Sequence, residues 1–403
     1  MEISYIIIPT EKYEDTTSRV SEITALVESA GAIVKGVSCI KINKIAPATY
    51  IGKGKIEEIK IACENLECNL VVFDGDLTPS QTINLSETLG DVKVIDRTTL
   101  ILDIFASRAR TAEGKIQVEL AQLKYIYPRL KGKGSALSRL GGGIGTRGPG
   151  ESKLETDRRH IRRKINYLEE RLKELENRRH LQIDRRNKNG VFKIALVGYT
   201  NTGKSTLLNT LTQSAVLTEN KLFATLDPTT RKLNLGEFSV LITDTVGFIK
   251  NIPTTLIEAF KSTLENAVDA DIILIVCDAL TDWMIQLETT NQMLDELKCS
   301  GKRLIVFNKC ENITDFSHYP HEAVFISAKE KKGLDGLIIR LRSFLEDNYS
   351  KLSLKIPYNL LSEFYSLQNY LESVQVEYLN EFVLANIVVN KTSLSKFNKF
   401  NQK

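Results

Sequence analysis

The chain has 403 residues, 42% of them hydrophobic and 26% charged, with a net charge of +4 at neutral pH. That size and balance suit a folded protein of about two to four domains and exclude an intrinsically disordered one. The longest apolar run, Ile272–Cys277, is far shorter than the ~20 residues of a membrane span, and MEISYIIIPTEKYED lacks the basic start and long apolar core of a signal peptide. A cytoplasmic protein with no transmembrane segment and at most peripheral membrane association is therefore expected.

Six cysteines are scattered, and the one close pair, Cys63 and Cys68, has no second Cys/His pair to complete a metal site, so reduced structural thiols are expected. The charge is unevenly spread. Lys124–Lys188 holds nineteen Lys/Arg against eight Asp/Glu, a surplus of eleven, which leaves the remainder of the chain seven negative. A basic middle on an acidic chain points to a polyanionic partner, with nucleic acid the usual one.

Met1 to about residue 110 alternates strand-like and helix-like segments. Strands are predicted at Tyr5–Ile8, Ala32–Ile42, Leu70–Asp74 and Val92–Ile95, with helices at Thr17–Ser29, at Lys55–Asn65 and from Thr78. This alternation predicts a small α/β domain with a parallel or mixed sheet. Gly52-Lys53-Gly54-Lys55 precedes a helix but lacks phosphate-loop spacing, and reads as a solvated turn.

From Thr98 the pattern turns helical, with Ile116, Leu120, Leu123 and Ile126 at helical spacing up to Pro128. Residues 131–150 follow as a Gly/Arg-rich stretch that cannot pack a core. Beyond it Leu154, Ile161, Ile165, Leu168, Leu172 and Leu175 form an apolar seam along a long helix. Residues 111–190 thus predict an antiparallel helical arm with the Gly/Arg-rich loop at its tip. Arg158-Arg159, Arg162-Arg163-Lys164 and Arg178-Arg179 suit contact with an RNA backbone. Asn187-Lys188-Asn189-Gly190 breaks the helix and links it to the next domain, 191–350.

That domain opens with an apolar strand, Ile194–Val197, and then Gly198-Tyr199-Thr200-Asn201-Thr202-Gly203-Lys204-Ser205, which fits G-x-x-x-x-G-K-[ST]. The glycines let successive N–H groups turn toward phosphate oxygens, Lys204 adds a cation, Ser205 can ligate Mg²⁺, and the helix from Thr206 adds its dipole. Leu222–Arg231, LFATLDPTTR, is a Thr-rich loop in which Thr225 or Thr229 could serve Mg²⁺ and the γ-phosphate. Strand Val240–Ile242 leads into Asp244-Thr245-Val246-Gly247, where Asp244 would hold Mg²⁺ through water and the Gly247 N–H would sense the γ-phosphate. Strand Ile272–Cys277 precedes Asp278, a helix follows at Thr289–Leu297, and strand Leu304–Phe307 ends in Asn308-Lys309-Cys310-Glu311. Phe325-Ile326-Ser327-Ala328 completes the set.

In that order, each after an apolar strand, these motifs predict a P-loop GTPase. Two residues depart from the usual pattern. Glu311 stands where guanine-reading motifs end in Asp, one methylene longer. Phe248 follows Gly247 where a Ras-like enzyme has its water-orienting Gln, which predicts slow unassisted hydrolysis. Residues 351–403 predict a small α/β appendage, with alternating Leu352, Leu354 and Ile356, a helix over Leu360–Ser373, and strands at Val374–Tyr378 and Phe382–Val389.

The stretches VVFDGDLTPSQ, VIDRTTLILDIFASRARTAEGKIQVELAQLKY, GGGIGTRGPGESKLETDRR, GYTNTGKST, FATLDPTTR and DTVGF resemble, in order, segments of the bacterial ribosome-associated GTPase family HflX. The resemblance spans nearly the whole chain. It implies Mg²⁺-dependent GTP hydrolysis stimulated by the large ribosomal subunit, and splitting of stalled or stressed ribosomes through contact with ribosomal RNA. It also implies an N-terminal domain near the peptidyl-transferase centre, and no DNA partner; a monomer is expected. The family's switch threonine maps to Thr225 within Phe223-Ala224-Thr225-Leu226-Asp227, and its P-loop asparagine, near which some relatives hold K⁺, maps to Asn201. Lys204, Thr225 and Gly247 are then the catalytic candidates, and Ser205 and Thr225 the metal ligands. The alternative reading is a nucleotide-gated module that regulates ribosome assembly or a membrane protease.

Overall fold

The computed structural model describes residues 2–10, 16–90, 92–130, 149–188, 192–213, 222–223, 225–249 and 267–400. Two compact units divide the chain: Met1–Leu175 with Glu219–Asp227 and Asn251–Lys261, and Glu176–Thr218 with Pro228–Lys250 and Ser262–Lys403.

The first unit is built on β1 (Ile3–Thr10), β2 (Ile33–Lys41), β3 (Leu70–Phe73) and β4 (Lys93–Asp96), paired in the order β2-β1-β3-β4. Every pairing is parallel, as expected of strands such as LVVF that are apolar on both faces. Helices α1 (Thr17–Ser29), α2 (Lys53–Asn65), α3 (Pro79–Thr88) and α4 (Arg97–Arg108) supply the crossovers and flank. The apolar faces of α2 and α3 pack with the sheet, where Tyr5, Ile7, Ile56, Ile59, Phe73 and Leu85 share one core cluster. Local chemistry sets the helix starts. Thr78 and Gln81 form a reciprocal capping box at α3 with Pro79 in its first turn, and Asp96 accepts from the Thr99 N–H at the head of α4.

Helix α5 (Ala112–Arg129) follows, and α6 (Pro149–Lys188) runs 40 residues. Ion pairs Lys124–Glu169 and Lys164–Glu119 join the two, and the Arg158 guanidinium lies 5.4 Å from the Tyr127 ring centroid. Ile161, Ile165, Leu168, Leu172 and Leu175 are sheltered while the residues between them are largely exposed, with Leu168 buried. Residues 131–148 of the expected Gly/Arg-rich loop lie outside the described residues; Pro149 and Gly150, also read as loop, are already helical. A proline in a helix's first turn sacrifices no hydrogen bond, which allows that earlier start.

The second unit carries β5 (Lys193–Val197), α7 (Lys204–Thr212), β6 (Thr229–Leu235), β7 (Phe238–Asp244), β8 (Ile272–Asp278), α8 (Trp283–Glu296), β9 (Lys302–Asn308), β10 (Val324–Phe325) and α9 (Leu334–Asn348). The sheet order is β10-β9-β8-β5-β7-β6, parallel except for β6 against β7. Thr229, expected in a loop, begins β6 and lies opposite Asp244. The chain then forms an antiparallel sheet of β11 (Tyr349–Pro357), β13 (Phe382–Asn390) and β12 (Leu371–Tyr378), in that order, with its own core around Phe364, Phe397 and Phe400. The helix expected over Leu360–Ser373 is confined to α10 (Leu361–Ser366), and Leu371 onward is strand. Pairing of Leu371 and Ser373 with β13 outweighs the helical reading of Leu371–Ser373, while Val374–Tyr378 is strand as expected. Among the described residues no helix is long and apolar enough to cross a membrane.

Candidate functional site

In the second unit β5, β7, β8 and β9 are parallel, so their C-terminal ends open on one edge of the sheet, where ligands of such folds bind. Gly198 leaves β5 at φ +154°, and a Cβ there would lie 2.2 Å from the Val276 carbonyl oxygen of β8. Gly203 sits at φ +91°, where a Cβ would lie 2.2 Å from Asn308 Nδ2. Neither position admits a side chain. Asn201 also takes a left-handed conformation, φ +62°, within the curl.

Lys204 opens α7 and is buried. Its ammonium donates back to its own loop, to Gly198 O at 3.0 Å and Tyr199 O at 2.6 Å. Burial pulls its pKa down to about 8, opposed by the charge of Asp244. The Ser205 hydroxyl donates to Asp244 Oδ2 at 2.6 Å, and Asp244 is fully buried at the end of β7. A hydroxyl and a carboxylate are hard oxygen donors of the kind Mg²⁺ selects, and both stand beside the glycine curl. The residues present therefore fit both a phosphate chain and its metal.

The Asp244–Gly247 stretch is stitched to that loop. The Thr200 N–H donates to Phe248 O at 2.7 Å, and the Phe248 N–H donates to Gly198 O at 3.0 Å. The Thr245 hydroxyl donates to Leu196 O at 2.7 Å, and Val246 is buried. Gly247 lies so close to the loop that a Cβ would be 2.9 Å from both Lys204 Nζ and Thr200 Cα. The Phe248 ring is 2% exposed, so it presents nothing to a water molecule.

At the end of β9, Asn308 is a brace. Its amide nitrogen donates to Thr202 O at 2.8 Å and its oxygen accepts from the Ala328 N–H at 2.9 Å. Lys309 donates to Asn201 O at 2.9 Å and pairs with Asp278 Oδ2 at 2.6 Å. The Ser327 hydroxyl donates to Glu311 Oε1 at 2.5 Å, and this bond holds the Glu311 carboxyl below its ordinary range. Burial pushes the Cys310 thiol up to about 11 and Cys277 to about 12, which leaves both protonated and inert.

The P-loop, Asp244–Gly247, Asn308–Glu311 and Ser327–Ala328 thus converge within one unit. Phe223, Thr225, Leu226 and Asp227 belong to the other unit; Ala224 lies outside the described residues. Two contributors go beyond the candidate list: Asp278, which anchors Lys309, and the backbone of Phe248, which fastens the P-loop. Asp278 closes an apolar strand just as Asp244 does, and that repeated position is its signal in the sequence.

Three family models match the chain in succession. One described as GTP-binding GTPase N-terminal covers residues 17–106, one described as GTP-binding GTPase middle region covers 108–186, and one described as 50S ribosome-binding GTPase covers 193–309. The chain is 48% identical over 369 residues to the GTPase HflX of Caldanaerobacter subterraneus subsp. tengcongensis, across 91% of this chain and 84% of that one. It is 47% identical over 393 residues to the GTPase HflX of Lacrimispora saccharolytica, across 95% and 92% of the two. With the GTPase HflX of Escherichia coli the identity is 40% over 377 residues, across 89% and 86%. Among solved structures it resembles the crystal structure of the SsGBP–GDP complex, with a TM-score of 0.50 and 26% identity over 85% of this chain and 98% of that one.

Proposed function

As the chain belongs to the HflX family of GTPases, we propose that it binds the large ribosomal subunit and uses GTP binding and hydrolysis to split or recycle stalled or stressed ribosomes. One observation carries the catalytic half of this reading. Lys204 is buried and donates to carbonyls of its own loop, beside a Ser205–Asp244 pair 2.6 Å apart. An ammonium so placed gains by exchanging those dipoles for the charged β and γ oxygens of a nucleoside triphosphate. Mg²⁺ held near Ser205, Asp244 and Thr225 would neutralise charge on the same phosphates.

The chain's own residues do the rest. N–H groups of Asn201–Lys204 line the phosphates, and the Gly247 N–H faces the γ position, which a larger residue would crowd. Asn308 braces the base-binding end against the phosphate loop, and Glu311 accepts from the guanine edge. Water then attacks the γ-phosphorus in line with the bridging oxygen; as the new P–O bond forms, the bond from phosphorus to the bridging oxygen breaks, GDP leaves and the water's proton passes to a phosphate oxygen. With Phe248 buried, no side chain at that position aligns the water, so the ribosomal subunit supplies the missing organisation. The Lys/Arg surplus of Lys124–Lys188, with its Gly/Arg-rich stretch, is the part proposed to meet ribosomal RNA.

The test is nucleotide turnover with GTP or ATP, with and without purified large subunits, for the native chain and Lys204→Ala. Stimulation of GTP turnover by large subunits of ~100-fold or more, lost in Lys204→Ala, is expected. Turnover indifferent to subunits, or equal use of ATP, overturns the reading.

A further inference from the structure

The loop that carries Thr225 is fastened at both ends inside the first unit. Upstream, the Leu222 N–H donates to Ser29 Oγ at 3.0 Å, and the Phe223 ring packs edge-on against Phe105, centroids 4.6 Å apart. Phe223 reaches that slot only by taking φ +54°, in the left-handed region that an aromatic residue disfavours. Downstream, Asp227 lies at the head of α5. Its Oδ2 accepts from the N–H groups of Arg110 and Thr111 at 2.8 and 2.9 Å, and its Oδ1 accepts from the Thr111 hydroxyl at 2.5 Å. Thr111 also caps α5, accepting from the Gly114 N–H at 2.9 Å. Gly114 is moulded to the carboxylate: a Cβ there would lie 2.4 Å from Asp227 Oδ1.

A carboxylate taking three hydrogen bonds at a helix N-terminus is held by charge as well as geometry. Asp227 is two residues beyond Thr225, and the intervening Leu226 is buried. Two Cα steps span at most about 7 Å, so Thr225 has little slack. When Thr225 moves to or from a nucleotide's metal, Asp227 must either release α5 or pull on it.

We propose that Asp227 is a positioning residue that couples the Thr225 segment to the first turns of α5, so that the nucleotide state is transmitted to the helix that enters the basic stretch beginning at Lys124. This rests on the reading of Thr225 as the switch residue of a GTPase. The coupling is specific: it needs a hydrogen-bonding carboxylate at 227 and a hydroxyl at 111, and any bulk at 114 would displace it.

Amide hydrogen exchange of residues 112–118 in the full chain, with GDP and with a non-hydrolysable GTP analogue, tests it. Affinity for each nucleotide is measured first, so that failure to bind either one condemns the GTPase reading as a whole. In the native chain, exchange in this stretch should differ ~threefold or more between the two nucleotides. Asp227→Ala and Thr111→Ala should abolish or reduce that difference while GDP affinity stays within ~threefold, and Thr111→Ser should retain it. Exchange that ignores nucleotide in the native chain, or a nucleotide difference that is undiminished in Asp227→Ala, overturns the proposal.

Discussion

The parallel strands of the two sheets end in opposite ways. In the second unit the strand ends carry glycines at Gly198 and Gly203 and a lysine that donates to the carbonyls of Gly198 and Tyr199. In the first unit the equivalent edge is filled by the protein itself. Asp74, just past β3, accepts from Arg97 Nη1 at 2.7 Å and from Arg19 Nη2 at 2.8 Å, and Arg97 also pairs with Glu22. Beside it Asp96 receives Tyr125 and Arg129, and the Arg129 guanidinium stacks 3.3 Å from the Tyr125 ring centroid. One topology therefore serves two ends. Where glycines let the backbone curl around a helix start, an anion can enter; where opposite charges meet, each already has its partner and a ligand would have to displace it.

The sharpest way to break this contrast is to unplug the filled edge. Arg97→Ala leaves Asp74 and Glu22 short of a cation in a buried setting, and losing one member of such a cluster costs about 3–5 kcal/mol. Hydrogen exchange of the β1 and β3 amides should report that loss, with GDP affinity within ~twofold of native. A comparable fall in GDP affinity would mean that the plug also serves the nucleotide.

A second measurement probes the strain at the open edge. Lys204 is held at about 8 when folded against ~10.4 in an unfolded chain, so between those values the unfolded state binds the extra proton. Stability of the nucleotide-free chain should therefore carry a full penalty below pH 8 and rise as the pH climbs toward 10. The total gap corresponds to about 3 kcal/mol, of which about 2 should appear between pH 7.5 and 9.5 in the difference between native and Lys204→Met in urea unfolding. Saturating GDP should erase the gain, because phosphate charge restores the proton to the lysine. A flat difference would show that the ammonium is already well solvated without nucleotide.

Where structure follows from neighbours along the chain, the sequence sufficed. The strand-turn-helix at Ile194–Thr206 is a local matter of apolar run, glycines and helix start, and the α/β alternation of the first unit is equally local. The helix α9 also carried its signal, with Leu337, Leu341, Phe344 and Leu345 at helical spacing, though no catalytic motif draws attention to it. Bonds between distant residues were another matter. Asn308 with Thr202, Lys309 with Asp278 and Asp227 with Thr111 join positions 106, 31 and 116 apart, and no periodicity encodes them. The short α10 makes the same point: β13 decides the state of Leu371–Ser373 from outside the segment.

The smallest effect is expected at the base-reading end, where the open site is least like a void. Glu311 already accepts from Ser327, so one of its oxygens is engaged before any nucleotide arrives. Its extra methylene, compared with Asp, adds a rotor that must be frozen when the carboxylate meets guanine, at a cost of under about 1 kcal/mol. Glu311→Asp removes that rotor, yet it also withdraws the carboxylate from Ser327. If the rotor dominates, the preference for GDP over ADP should grow by a few-fold, up to ~tenfold, in competition binding. A weaker preference would mean that Ser327 has fitted this end to glutamate as closely as Arg97 is fitted to Asp74, and the division between an open and a filled edge would then stop short of the base.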